Sequence, residues 1–232
     1  MRTAIWQKAG VASLMLLAVT TGCAELVGIG GGKKMPLVFQ ANFEDENLEA
    51  WEATDPAVWR IEDGRGGKVL TQFKQSDYKP EVRSPFNINL IKEVVVGSFM
   101  LEVKMLSTTR DYGHRDLCLF FGHQDPSHFY YVHIANKADA HANSIFIVNG
   151  EPRVSIAKTR TEGTKWDDNW HTVRLVRDVE KGTIEVFFDD STEPIMTAID
   201  DTFKRGRVGV GSFDDTGQFD DIRLWGDLKN DY

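Results

Sequence analysis

The sequence predicts an all-β protein built as a two-sheet antiparallel β-sandwich. Three observations lead there. Short stretches rich in Val, Ile, Phe and Trp recur through residues 36–228, separated by Gly, Asn, Asp and Pro. In the longer stretches apolar and polar residues alternate, the period of a strand with one face in a core. Beyond the N-terminal segment, no stretch sustains a helical period.

The elements follow in order. LVFQANF (37–43) is a first strand, and Asn47 to Trp51 make one helical turn. AVWRIED (57–63) is a strand that Gly64-Arg65-Gly66-Gly67 turns into KVLTQF (68–73). Pro80 and Pro85 bracket a short edge piece, EVRS. VVVGSFMLEVKML (94–106) presents Phe99, Leu101, Val103 and Met105 to one side. His114 to Asn149 reads as three strands joined by two turns and holds five of the six histidines. Asn149-Gly150 signals a two-residue hairpin turn into PRVSIAK. WHTVRLVRD (170–178) turns at Glu180-Lys181-Gly182 into TIEVFFDD (183–190), and RVGVGSF and FDDIRLWG close the chain. The total is about a dozen strands, which suits a single sandwich.

The chain has 232 residues, 41% hydrophobic, enough apolar material for a sizeable core. Its formal net charge is −8, so it lacks the basic footprint of a nucleic-acid binder. Such acidity keeps a surface soluble and leaves room for a bound cation.

The first 22 residues read as targeting sequence rather than fold. Arg2 and Lys8 give a positive start, and Ala9–Val19 is an apolar run too short for a comfortable membrane span. The run ends in Val19-Thr20-Thr21-Gly22-Cys23, which resembles a bacterial lipoprotein signal with Cys23 as the lipidated first residue. That resemblance implies an envelope protein held to the membrane only through its lipid. Residues 23–35, with Gly28-Ile29-Gly30-Gly31-Gly32, then read as a glycine-rich tether. With Cys23 lipidated, Cys118 has no disulfide partner and reads as a small buried hydrophobe.

A family resemblance rests on the later strands. Trp170-His171-Thr172-Val173-Arg174-Leu175-Val176-Arg177-Asp178 with Gly182-Thr183-Ile184-Glu185-Val186-Phe187-Phe188 resembles the hairpin of concanavalin A-like lectin/glucanase and laminin-G-like domains. Gly209-Val210-Gly211-Ser212-Phe213 and Phe219-Asp220-Asp221-Ile222-Arg223-Leu224 resemble their last strands. Phe43, Leu48, Trp51, Trp59, Ile61, Glu62, Asp63 and Gly64 resemble the opening of 3-keto-disaccharide hydrolase-type domains. The resemblance implies a jelly roll with one concave sheet, on which many members bind or cut glycans.

Candidate site residues come from the histidine-rich centre. In FYYVHIANK, alternation puts Phe129, Tyr131, His133, Ala135 and Lys137 on one face, and Tyr130, Val132 and Ile134 on the other. The second set reads as core. The first offers aromatic rings and hydrogen-bonding groups, as a sugar requires, and Arg115 and Asp116, with His114 beside them, lie on the preceding strand. The expected carbohydrate-binding residues are therefore Arg115, Asp116, Tyr131, His133 and Lys137.

For catalysis the signals are thinner. The Glu-x-Asp-x-x-Glu of glucanases of this fold is missing, and Glu44-Asp45-Glu46-Asn47-Leu48-Glu49 is wrongly spaced for it. Lyases of similar fold use Tyr and His, and Tyr131 and His133, with Arg115 and Gln124, supply those types without a matching motif. Where a 3-keto-disaccharide hydrolase is expected to carry Asn-Ser-Gly, Arg115-Asp116-Leu117-Cys118 stands instead. The histidines lack the tight spacing of a transition-metal motif. Glu44 after the first strand and Asp220 at the start of the last are the candidate ligands of a structural calcium, since those strands pair in such jelly rolls. Trp166, in the loop TEGTKWDDN, is the best candidate for an exposed aromatic.

The expected function is a carbohydrate-binding or adhesive module of a bacterial envelope lipoprotein. A glycan-active enzyme, hydrolase or lyase, on the same face is the alternative, with Tyr131 and His133 as its acid and base. A third reading is a structural envelope protein, which expects Tyr131 and His133 to be buried and no groove above them.

Overall fold

The computed structural model describes residues 26–29 and 33–229. Residues 1–22, read above as targeting sequence, and Cys23 lie outside them.

Among the described residues the chain forms two antiparallel sheets. Ten strands make the first. Its main path runs β1 (Leu26–Ile29), β2 (Lys33–Ala41), β17 (Gly217–Leu228), β7 (Val96–Ser107), β13 (His171–Asp178), β14 (Thr183–Phe188), β15 (Met196–Ile199), β12 (Ala157–Arg160). The hairpin β4 (Trp59–Gly64) and β5 (Gly67–Gln72) joins it through β17. Seven strands make the second, in the order β11 (Val154–Ser155), β10 (Ser144–Asn149), β9 (His128–Ala135), β8 (Asp116–Asp125), β16 (Arg207–Ser212), β6 (Asn87–Ile91), β3 (Trp51–Ala53). The expected all-β sandwich is therefore the observed fold.

The period-2 pattern explains the layers. Leu101, Val103 and Met105 of β7, Val173 and Leu175 of β13, and Ile222 and Leu224 of β17 face inward from the first sheet. Leu117, Leu119 and Phe121 of β8 and Tyr130, Val132 and Ile134 of β9 meet them from the second. All of these side chains are at most 1% exposed. Burial at this level stabilises by about 1.5–3 kcal/mol for each large apolar side chain.

A second apolar layer lies on the outer face of the seven-stranded sheet. Cys118 and Phe120 of β8, Phe129 and Tyr131 of β9, Phe146 and Val148 of β10, and Ile88 and Leu90 of β6 form it. The connection between β5 and β6 lays Val82 against this layer. The stretch 81–84 is thus a covering segment and not the edge strand expected from its flanking prolines.

Other differences are local. Asn47–Trp51 forms turns closed by Trp51 N–H to Leu48 O, and Trp51 opens β3 instead of ending a helix. The β10–β11 hairpin pairs Ile147 with Val154, so its loop is longer than the Asn-Gly signal suggests. Gly150 N–H donates to Ser127 O instead of closing a tight turn. Leu26–Ile29 pairs with Lys33–Pro36, placing sheet hydrogen bonds in the stretch read as a tether.

Gly209 shows how tightly the second sheet is built. A Cβ there would lie 2.2 Å from Asn89 O and 2.8 Å from Leu90 Cα, both backbone atoms of the neighbouring β6. Neither can move without breaking the ladder. Gly209→Ala is expected to cost about 3 kcal/mol, the upper end of overpacking penalties, read as a lower urea midpoint at unchanged slope.

Candidate functional site

β8 and β9 set the floor of the site. Cys118 lies directly across from His133, and Asp116 is two residues along β8 on the same face. Asp116 Oδ2 accepts the Phe213 N–H at 2.8 Å and the Cys118 thiol at 3.3 Å, and lies 3.4 Å from His133 Nε2. Asp215 Oδ2 in turn accepts the Asp116 N–H at 2.8 Å, and the Tyr112 hydroxyl donates to the same carboxylate at 2.9 Å. These bonds pin the turn Phe213-Asp214-Asp215 over the end of the sheet.

Burial decides the charge states. Desolvation pushes the Asp116 carboxyl well above the usual carboxylate range, with the Asp215 charge adding to it. Desolvation pulls His133 down to about 3, with the Arg153 cation adding to it. Across the 3.4 Å contact the imidazole is therefore uncharged at neutral pH, so the contact is not an ion pair. The Cys118 thiol and the Tyr131 phenol are both pushed up by burial.

Above this floor opens a cleft of about 180 Å³. His133 and Phe213 form its base, and Tyr112, His114, His141 and Asp214 stand around it. Arg83 and Arg153 close the remaining side. The Arg153 N–H donates to Arg83 O at 3.1 Å, so the two arginines are fixed side by side by backbone. Arg153 Nη1 donates to the Tyr131 hydroxyl at 2.9 Å and Nη2 to His141 O at 3.0 Å. Its guanidinium lies 4.0 Å over the Phe213 ring. Its Nε–H is buried and unpartnered.

The expected site residues are distributed as follows. His133 lines the cleft. Asp116 lies beneath it. Tyr131 lies wholly buried, its ring stacked on Phe146 at 5.1 Å, and reaches the site only through Arg153. Arg115 is not a ligand group. It is buried, and its guanidinium donates to Ser107 O at 2.7 Å, to Ser107 Oγ, and to Asp167 O and Asp168 Oδ1. It straps the end of β7 to the loop after β12. Lys137 is exposed and does not line the cleft. Trp166 is core and not an exposed platform, its Nε1–H donating to Ile134 O at 2.9 Å. The third reading's burial of Tyr131 and His133 is present, but a groove lies above them.

Arg83, Arg153, Tyr112 and Asp214 went unread in the sequence. They stand on four separate loops with no period to link them. The available signal was the Asn-Gly turn, which delivers Arg153.

Metal-binding possibilities are specific. Ligand atoms of Asp116, Cys118 and His133 lie within 4.8 Å of one another, and so do those of Asp116, Asp214 and Asp215. The first set offers the O, S and N donors that zinc takes, provided that Asp116 and Cys118 give up their protons. At the expected calcium corner β2 and β17 do pair. Glu44, however, accepts the Lys68 N–H at 3.0 Å, and Asp220 accepts the Asp221 N–H at 2.7 Å. Lys104 Nζ lies 2.5 Å from Asp221 Oδ2, so an ammonium stands beside this acidic corner.

The fold is a two-sheet antiparallel β-sandwich like that of lectin-like jelly rolls among solved structures. No family model and no curated protein matches the chain. Similar solved structures include the carbohydrate-binding module CBM66 from Bacillus subtilis, with TM-score 0.53, 17% identity, and 76% of this chain and 96% of that one covered. Another is winged bean acidic lectin complexed with methyl-alpha-D-galactose (TM-score 0.55, 14% identity, coverage 82% and 99%). A third is a Bacillus subtilis protein of unknown function with a galectin-like fold (TM-score 0.55, 11% identity, coverage 89% and 100%). At these identities the likeness is one of fold.

Proposed function

We propose that this chain is a carbohydrate-binding module whose ligand enters the cleft between Arg83, Arg153 and the Phe213–Asp215 turn. The observation that carries the reading is the cleft itself. It gathers guanidinium, imidazole, hydroxyl and carboxylate groups around a space suited to one sugar unit, on rigid sheet and pinned loops. Solved relatives in fold that are described as a carbohydrate-binding module and as a lectin with a bound galactoside support it. The test is glycan-array binding by the full chain beside Asp214→Ala, a substitution at the exposed rim. Binding that falls at least tenfold in the variant supports the reading. A folded wild type that binds no glycan returns the chain to the structural reading.

One observation favours a glycan-active enzyme as the second reading. The carboxyl groups of Asp116, Asp214 and Asp215 lie together at the cleft, and burial raises the proton affinity of each. If array ligands are turned over, Asp214→Asn will abolish turnover while retaining binding.

The envelope location belongs to the same proposal and is supported by the sequence around Cys23. Cells expressing the chain and fed an alkyne fatty acid should label the wild type and leave Cys23→Ser unlabelled. Equal labelling of both would overturn the anchor.

A further inference from the structure

We propose that the cleft takes an anionic sugar, one bearing a carboxylate or a sulfate ester, held between the guanidinium groups of Arg83 and Arg153. This deepens the carbohydrate-binding reading and rests on it.

The argument begins with charge. The chain as a whole is acidic, with a formal net charge of −8. Among the groups that line the cleft, two guanidinium groups face one carboxylate, Asp214, and three imidazoles, with the carboxyl groups of Asp116 and Asp215 close to Asp214. Among the described residues neither guanidinium has a carboxylate within 4.0 Å. Asp214 feels both arginines, but at longer range. Other arginines are satisfied either by a carboxylate or, like the buried Arg177, by carbonyl oxygens alone. Arg60 pairs with Glu62, Arg115 with Asp168 and Arg207 with Glu52. What sets Arg83 and Arg153 apart is that both line an open cleft, where an anion from outside can reach a guanidinium that no carboxylate neutralises.

Geometry supports the same ligand. The backbone bond between Arg153 and Arg83 fixes the two bases side by side, and Arg153 is held further by Tyr131 and the His141 carbonyl. An anchored guanidinium presents a planar fork that matches a carboxylate or sulfate with two parallel hydrogen bonds.

A neutral sugar fits less well. Neutral sugars gain much of their affinity by laying C–H faces on an open aromatic ring. In this cleft the candidate ring, Phe213, is 8% exposed and already carries the Arg153 guanidinium at 4.0 Å. The face a neutral sugar would use is occupied by the group an acidic sugar would seek.

The experiment uses paired polymers that share a backbone and differ in charge. Polygalacturonate is set against fully methyl-esterified pectin, and dextran sulfate against dextran. The full chain is measured by affinity electrophoresis beside Arg83→Gln and Arg153→Gln, each checked for folding by thermal unfolding. Arg83 is exposed, so its variant tests the site even if Arg153→Gln is destabilised. The expected result is retardation by a charged polymer at least tenfold stronger than by its neutral partner. It should weaken with salt and fall at least fivefold in Arg83→Gln. The two pairs separate carboxylate from sulfate as the preferred anion. Equal binding to charged and neutral partners, or charged binding that ignores both substitutions, overturns the anionic site and leaves the carbohydrate reading standing. So does a neutral glycan bound on the array with no response to any acidic polymer. Failure to bind any glycan overturns both.

Discussion

Tyr131→Ala will destabilise the domain by about 3–5 kcal/mol, the range for removing a fully buried aromatic side chain. Tyr131 is 0% exposed and stacks between Phe146 at 5.1 Å and Phe120 at 6.1 Å in the outer apolar layer. Truncation opens a hole under the cleft and releases Arg153. Tyr131→Phe keeps the packing and removes only the hydroxyl that accepts from Arg153, so it should cost about 1 kcal/mol. The two variants therefore separate a structural from a recognition effect. In urea, Tyr131→Ala should lower the midpoint sharply and Tyr131→Phe only slightly. On the ligand, Tyr131→Phe should still lose affinity because the guanidinium is less firmly held. A Tyr131→Ala chain as stable as wild type would mean that the outer layer is not packed as described.

The second large effect is on acid stability. His133 is held uncharged, its pKa pulled from about 6.5 when unfolded to about 3 in the fold. Between those values the unfolded chain binds a proton that the folded chain refuses, so stability falls as pH drops through this window. The slope from one such group approaches 1.4 kcal/mol per pH unit. His123, stacked on Phe129 and drawn down to about 4 by burial, acts in the same direction between pH 6.5 and 4. Asp116 opposes them. Its raised folded pKa means that the fold gains stability as pH falls from that value towards the ordinary carboxylate range. The net slope of the wild type is thus blurred, and the comparison with His133→Gln is the sharp test. The variant should be flatter than wild type by about 1 kcal/mol per pH unit from pH 6 to pH 4. Parallel curves would mean that His133 is solvated enough to titrate normally.

The strands were largely legible in the sequence because burial imposes a period on them. Alternation in FYYVHIANK assigns Tyr130, Val132 and Ile134 to one face and Phe129, Tyr131 and His133 to the other, and both assignments hold. The same pattern cannot tell an open face from a covered one. Phe129 and Tyr131 look like a platform until Val82 is placed on their layer. Arg115 misled for a related reason. Its neighbour Asp116 was correctly placed by the strand, but a guanidinium is long enough to leave the face its Cα suggests and bind Ser107 and Asp168 instead. The cleft was the least legible part, since Arg83, Arg153 and Asp214 come together only when three loops meet, and loop residues obey no period.

The place of β17 has a further consequence. It lies between β2 and β7 and also receives β5, so the ten-stranded sheet is joined through the last of the described strands. Without Gly217–Leu228, β2, β5 and β7 each keep only one of their two partners. Pairing of β17 is therefore dominated by closure of long loops and slow by the standards of local topologies. The same arrangement makes the C-terminal strand the point at which any shortening of the chain would dismantle the sandwich as a whole.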